Sequence, residues 1–497
     1  MNGLLAYGAY IPHHRLSRAA ISSTLGGLGG RGTRAVASYD EDATSMAVEA
    51  ARKALAGSGL SGPSAPSALP ERLLFATASP PYLDKTNANV IHAALGLDAS
   101  VLAVDVMGSV RSGIGAVITA AEAARPTLAL LADVRTGLPG GTDEREGGVG
   151  AAALLFGPGS DEAPVVAEVV ATAATTAEFL DRWREPGAAH SRVWEERFGD
   201  HAYGPLTDAA FADALKQADL TPADVDHLVV AGLHTRANRS FARSAGVSAE
   251  AMGDDLTANI GNTGTAHAGV ALAAVLDRAA AGAVVAVVVL ADGATVLLLR
   301  TTGALADRRP HPSVAEQVAA GSDQLPYATY LTWRGLLDRE PPRRPDPVGP
   351  AAPPTYRREA WKYGFVGAKC DECGTVHLPP VRVCVSCRAV DRMAPVRMAD
   401  VPATVATYTI DRLAYSPNPP IVAAIIDFDG GGRFSCELTD VDPDRVAIGD
   451  RVTMSFRRLL TAGGIHNYFW KATPAAAGTD HTSTDHTSTD QTSEVQP

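Results

Sequence analysis

The sequence predicts an α/β body built from two similar halves, followed by a metal-bound ribbon and a small all-β barrel. Three observations lead there. Residues 1–302 are rich in Ala, Gly and Val and alternate strand-like with helical runs. The order of those runs recurs: 227–231 echoes 72–76, each followed by a polar loop and a helix, and 283–290 with 294–300 echoes the strand pair that ends the first half. Finally, four of the five cysteines fall into two CxxC pairs, and short alternating strands come after them.

In order along the chain, residues 4–11 read as a strand, 41–55 as a helix and 72–76 as a strand. A helix at 87–95, a strand at 101–106, a helix at 111–124, a strand at 127–131 and a closing strand at 150–156 follow. Two such halves packed together give five layers, αβαβα. Residues 303–355 change character: 327–337 suits a short helix, and REPPRRPDPVGPAAPPTY (339–356) is dense in proline, so an extended linker is expected. The expected division is a body at 1–302, a linker with its short helix at 303–355, a ribbon at 356–395, a barrel at 396–473 and a disordered tail at 474–497. The tail carries TDHTSTDHTSTDQTS, a polar repeat unable to form a core.

A chain of 497 residues has room for about three domains of ~150 residues. Its formal charge of −12 argues against nucleic acid, whose binding is driven by phosphate neutralisation. The opening stretch has no basic region or cleavage site. The longest apolar run, 279–291, is interrupted by Gly282 and too short to span a bilayer. A soluble cytoplasmic protein that does not bind a membrane is expected.

Cys370-x2-Cys373-x10-Cys384-x2-Cys387 places two thiolates on each of two knuckles, which completes a tetrahedral sulfur site. With all four positions filled by protein, the expected Zn2+ is structural. His377 lies between the pairs as an alternate ligand, though four cysteines suffice; Cys436, in RFSCEL, reads as a core residue. Strands at 403–410, 422–428, 432–438 and 451–456, with a Gly-rich turn at 429–432, suit a closed barrel of the OB type.

CDECGTVHLPPVRVCVSC, ATVATYTI and VAIGDRV resemble the zinc-ribbon/OB-fold proteins that accompany thiolases and acyl-CoA enzymes, over about residues 325–473. In the body, FATASPPYLDKTNANVIHAALGL (75–97) leading into DVMGSVRSGIGA (105–116), then HTRAN (234–238) and NIGNTGTAHAG (259–269), resemble the thiolase superfamily. The likeness is greatest to the hydroxymethylglutaryl-CoA synthase branch, with ketoacyl synthase type three close behind; DRWREPG (181–187) and WEERFG (194–199) also look like the synthase branch. This resemblance implies a thiolase-like duplicated αβαβα body, a rubredoxin-like ribbon and an OB barrel. It also implies a coenzyme A or acyl-carrier thioester as substrate and a homodimer formed through the central sheets.

Matched residue by residue, His234 falls on the histidine that assists thioester enolisation or decarboxylation, and Asn262 on the asparagine that shares this role. Alternatively, they are a satisfied histidine at a strand end and a turn residue before Gly264. Two positions depart from the pattern. Val110 stands where the nucleophilic cysteine is expected, and Ala78 where the synthases carry a general-acid/base glutamate. Ser109 and Ser112 flank Val110 as substitute acyl acceptors or as helix caps. Tyr82, Asp84 and His267 are candidates for replacement acid/base groups or for structural roles, and with Val110 they are expected to meet substrate.

Three readings follow from this. The first is aldol or retro-aldol chemistry beside the thioester without covalent acylation. The second is acyl transfer or condensation with a serine or a direct transfer replacing the cysteine. The third is a non-catalytic acyl-CoA-binding subunit docked on a thiolase-type partner.

Overall fold

A computed structural model describes residues 2–26, 30–57, 70–343 and 348–476. The body strands are β1 (Asn2–Tyr10), β2 (Arg72–Thr77), β3 (Leu102–Met107), β4 (Thr127–Val134), β5 (Val149–Pro158), β6 (Ala167–Thr176), β7 (His227–Gly232), β8 (Val284–Leu290) and β9 (Gly293–Thr301). They form one sheet in the order β7-β8-β9-β6-β1-β5-β4-β2-β3. The duplication is visible in that order. The first half runs β1-β5-β4-β2-β3 and the second β6-β9-β8-β7, with a parallel bridge from Leu228 to Met252 at the place of the strand that the second half lacks. Among the described residues the halves meet at β1 and β6 through two residue pairs, Gly3 with Glu168 and Leu4 with Ala167.

The helices supply the other three layers: α1 (Ala43–Gly57), α2 (Ala88–Leu95), α3 (Val110–Ala121), α4 (Glu196–Gln217), α5 (Thr235–Ser244) and α6 (His267–Leu276). Side chains alternate across each strand because successive residues point to opposite faces. On β4, Leu128, Leu130 and Ala132 pack outward with α1 and α2, while Ala129 and Leu131 pack inward on α3 and α6. On β8, Val285, Val287 and Val289 join that same inner layer, and Ala286, Val288 and Leu290 pack outward with α4 and α5. A sheet covered on both faces needs near-continuous apolar strands, and VVAVVVL meets that need. The layers are therefore α1/α2, sheet, α3/α6, sheet, α4/α5.

The expected helix at 327–337 is realised as Tyr327–Trp333, with Tyr327 and Tyr330 buried. The stretch before it packs rather than hangs free. Gln317 is buried, accepts from Ile11 N and donates to Ala9 O. Part of the proline-rich segment, 344–347, and the tail 477–497 lie outside the described residues.

The ribbon strands are β10 (Val366–Cys370), β11 (Val376–His377) and β12 (Met393–Arg397). The barrel closes with β13 (Ala403–Asp411), β14 (Ile421–Phe428), β15 (Arg433–Leu438), β16 (Arg451–Ala462) and β17 (Ile465–Pro474) in the order β13-β14-β15-β17-β16. The sequence reading found four of these strands and passed over β17, whose inward residues Tyr468, Trp470 and Ala472 are almost fully buried. Those residues fall inside the stretch 396–473 expected to form the barrel.

The barrel docks on the outer face of the first half. Arg52 of α1 lies 5.0 Å from the Trp470 ring and donates to Met454 O and Ala399 O, each at 2.6 Å. Arg457, 1% exposed, faces Glu41 at 3.0 Å and Asp40 at 3.4 Å and also pairs with Asp440; Lys471 pairs with Asp40 at 2.9 Å and Glu437 at 2.8 Å. Buried charges persist only when paired in this way. The β16–β17 hairpin reaches further still, and His466 N donates to the Tyr82 hydroxyl at 2.7 Å.

Candidate functional site

A cavity of about 1410 Å³ opens at the carboxyl ends of β2, β3, β4, β7 and β8, where loops leave a parallel sheet and ligands commonly bind. Its walls include Ala78, Ser109, Val110, Asp133, Arg135, His234, Gly264 and Asp292.

Val110 opens α3. Ser109 is the N-cap residue with extended backbone, and Ser109 N donates to Ser112 Oγ at 3.4 Å, one side of a reciprocal capping pair. Ser109 Oγ also donates to Asp292 Oδ2 at 3.2 Å. Val110 is 8% exposed and belongs to the middle-layer core. A side chain without lone pairs thus sits at a helix N-terminus, where the dipole would lower a thiol's pKa.

His234 follows β7 and caps α5, with its Nδ1 accepting from Ala237 N at 3.0 Å. That bond fixes the proton of the neutral ring on Nε2. Gly199 of α4 stands against the ring: a Cβ there would lie 2.5 Å from Nε2, so only glycine fits. Asn262 is buried, its Nδ2 donating to Gly232 O at 2.8 Å and its Oδ1 accepting from Gly264 N at 3.0 Å. The second N–H of the amide has no partner among the described residues.

Asp133 is buried and saturated, accepting from Ala78 N, Thr77 Oγ1, Ser79 Oγ and Thr265 N. It locks the β2 exit to the Asn262 loop. Arg135 donates to Asn262 O at 3.1 Å and to Asp143 at 2.6 Å; Arg182 grips the same carboxylate at 2.7 Å. Burial opposes the ionisation of Asp143, but the two guanidinium groups outweigh it and hold its pKa below the ordinary value. Burial lowers Arg135 to about 10. Arg184 donates to Ala78 O. Along α5, Arg236, Arg239 and Arg243 all line the cavity; Arg236 pairs with Asp200 at 2.9 Å, and the other two have no ion-pair partner among the described residues.

The structure therefore brings Ser109, Val110 and His234 to one cavity and places Asn262 on the loop beneath it. Other expected residues lie elsewhere. Ser112 acts as the capping partner of Ser109. Tyr82 lies under the barrel hairpin, its ring 4.6 Å from that of His466. Asp84 is exposed in the loop before α2. His267 is 2% exposed, with Nδ1 accepting from Thr263 N at 3.3 Å, and burial lowers its pKa to about 4. Arg182 and Asp181 lay inside the DRWREPG motif without being assigned roles. The helical spacing of Arg236, Arg239 and Arg243 was legible, whereas nothing local marked Asp133 or Asp292.

In the ribbon the four cysteine sulfurs lie within 4.8 Å of one another; Cys370 Sγ is 3.6 Å from Cys387 Sγ, and Cys373 Sγ is 3.5 Å from Cys384 Sγ. Those separations fit a tetrahedron with Zn–S bonds of about 2.3 Å. Residues 362–391 match the rubredoxin-like zinc ribbon domain of ChsH2, and 396–457 match its C-terminal OB-fold domain. Zinc is accordingly a structural metal of this chain, held by Cys370, Cys373, Cys384 and Cys387.

The body has the thiolase fold. It is similar to the 3-oxoacyl-(acyl carrier protein) synthase III of Pseudomonas aeruginosa, with 20% identity, a TM-score of 0.51 and coverage of 61% of this chain and 98% of that one. It is similar also to an HMG-CoA synthase solved with CoA, with 16% identity, a TM-score of 0.55 and coverage of 66% and 89%. In sequence it is 30% identical over 287 residues to the hydroxymethylglutaryl-CoA synthase of Thermococcus gammatolerans, spanning 56% of this chain and 80% of that protein. The enzyme of the same name from Caldivirga maquilingensis is 28% identical over 350 residues, spanning 67% and 98%. The chain belongs to the hydroxymethylglutaryl-CoA synthase family. Among the described residues no helix is long and apolar enough to cross a membrane.

Proposed function

We propose that this protein is an acyl-CoA enzyme that makes or breaks a carbon–carbon bond beside the thioester, as an acyltransferase or an aldol/retro-aldol enzyme, without a cysteine acyl-enzyme. The observation that carries the reading is His234 on the wall of a cavity whose nucleophile position is valine, with Asn262 bonded to Gly232 on the loop beneath it. Two N–H donors aimed at a thioester oxygen stabilise an enolate. Valine can neither attack nor be acylated, so the chemistry proceeds on the bound thioester. The family's named activity supplies the acyl-CoA class. The cavity exceeds the usual pocket range of ~300–1,000 Å³, which leaves room for a long acyl group and the arm that carries it. Arg239 and Arg243 offer guanidinium forks suited to phosphate.

Incubation with acyl-, 3-ketoacyl- and 3-hydroxyacyl-CoAs, following products together with intact protein mass, tests the reading. Turnover without an adduct, absent in His234→Ala, is the expected result. An acyl adduct on Ser109 or Ser112 would instead establish a serine nucleophile. Val110 and Ala78 favour a second reading, a non-catalytic acyl-CoA-binding subunit that works with a thiolase-type partner; binding without turnover, and co-purification with such a partner, would establish it.

The unpaired β3 edge, with Leu102 and Met107 exposed, is proposed to pair with the same strand of a second copy in a homodimer. Light scattering that returns a monomer mass would count against it. A cytoplasmic location belongs to the same proposal.

A further inference from the structure

We infer that Asp292 is the proton-transfer group of this cavity, positioned by Ser109 and acting on the hydroxyl of a 3-hydroxyacyl thioester in carbon–carbon bond cleavage. The inference rests on the acyl-CoA reading above and assigns it a reaction direction and a base.

Asp292 leaves β8 into the cavity wall with φ +47. Among the described residues it is the one non-glycine cavity residue with left-handed backbone, a conformation held only where surrounding structure imposes it. Arg111, next to Val110, imposes it here. Its Nη1 donates to Ala291 O at 2.8 Å and to Asp292 O at 2.6 Å. Gly293 then packs so tightly that a Cβ would lie 2.2 Å from Thr175 O. Ser109 and Arg111, the two neighbours of Val110, thus both bind this turn, which sets the Asp292 carboxylate beside the position where the resemblance expects a thiol.

Asp133 accepts four hydrogen bonds and Asp143 is held by two arginines, whereas Asp292 has the single 3.2 Å bond from Ser109 and no ion pair among the described residues. Glu146 and Asp181 also keep one side-chain partner each, but Asp292 is the cavity carboxylate that Ser109, the residue before Val110, bonds. A carboxylate with unused lone pairs in a cavity is equipped to accept a proton. The Tyr203 hydroxyl connects it to the histidine side: it receives a backbone hydrogen bond from Asp292, donates to Asp181 Oδ2 at 2.9 Å, and its ring lies 5.8 Å from that of His234.

The step balances without oxidant, water or metal. Asp292 takes the proton of the 3-hydroxyl, and the O–H electron pair becomes the C3=O bond. The C2–C3 bond breaks, and its pair enters the thioester enolate held by His234 Nε2–H and Asn262. C2 then takes the proton back from the Asp292 carboxylic acid. The products are a carbonyl compound and a shortened acyl thioester.

The test compares wild type with Asp292→Asn, which keeps both size and tolerance of left-handed backbone, and with Ser109→Ala and Glu146→Gln. Glu146 is a second cavity carboxylate, bonded by Thr235 at 3.4 Å. Readouts are carbonyl release from 3-hydroxyacyl-CoAs, deuterium entry at C2 of the product acyl-CoA in D2O, and calorimetric binding of the same thioesters. Asp292→Asn is expected to lower kcat by about 10²-fold or more and erase the acidic limb of the pH–rate profile, while binding and melting temperature hold. Ser109→Ala should move that limb. Turnover in Asp292→Asn within about tenfold of wild type, or a loss that follows Glu146→Gln instead, overturns the inference and leaves the acyl-CoA reading standing. A wild-type protein inert toward every thioester overturns both.

Discussion

The two halves of the body share a strand order and differ in chemistry. At the carboxyl edge of the first half, Val110 and Ala78 stand where the resemblance expects a thiol and a carboxylate, and Val110 is part of the core. At the matching edge of the second half, His234 caps its helix with one ring nitrogen and lines the cavity, and Asn262 keeps its loop bonds. The outer faces differ in the opposite sense. The first half carries the barrel, clamped through Arg52, Asp40 and Glu41, and the second half carries none. The fold needs a capped helix N-terminus and an apolar middle layer, and valine satisfies both.

The largest expected effect tests the second half. His234→Ala should lower turnover by about 10²–10⁴-fold and also lose about 1 kcal/mol of helix cap. His234→Asn, whose side chain still accepts at an N-cap, should recover stability but not turnover. Equal rates in both variants and wild type would erase the contrast between the halves.

Arg457→Ala tests the first half as a platform. It leaves Asp40, Glu41 and Asp440 buried without their cation, at a cost of about 3–5 kcal/mol. Urea denaturation followed by Trp470 fluorescence should show the barrel releasing early; an unchanged midpoint would mean that the apolar contacts alone hold it.

The pH dependence comes next. Burial holds the His267 pKa at about 4 in the folded chain against 6.5 as its ordinary value. The unfolded chain binds more protons between those values, so stability falls as pH drops through that window and levels off on either side. The loss is on the order of 3 kcal/mol. His267→Gln should flatten the melting-temperature profile between those two values, and a profile as steep as that of wild type would assign the acid sensitivity elsewhere.

The smallest stability change sharpens the comparison most. Val110→Cys restores a thiol at the α3 N-terminus and should cost less than about 1.5 kcal/mol. An acyl adduct on that cysteine in intact mass would show that the first half lacks only its nucleophile. A clean mass, with turnover unchanged, would show that the cavity has been rebuilt around other chemistry.

Much of this was legible along the chain. Apolar alternation marks a strand wherever it folds, so the β-α order and the echo between halves were readable, as was the cysteine spacing, because four thiolates on two short knuckles leave little choice. His234 and Asn262 were singled out because their neighbours repeat a known pattern, and their roles are part of the proposed function. Where the sequence left a catalytic and a structural role open, distant contacts bear on the choice. Tyr82 and Asp84 lie in a loop that looked catalytic, but Tyr82 meets a hairpin nearly four hundred residues away. His267 looked available but is sealed in a helix of the middle layer.

The sequence by itself determined the layers and the zinc ligands, because each depends on local period or spacing. Only the tertiary structure decided where the barrel docks, which arginines face the cavity and which carboxylate Ser109 bonds. Asp292 sits 182 positions after Val110 in the chain and becomes its neighbour through the hydrogen bond from Ser109, which closes only when the two halves have packed. Pairings of that kind depend on which surfaces meet on folding, and no local pattern carries that information.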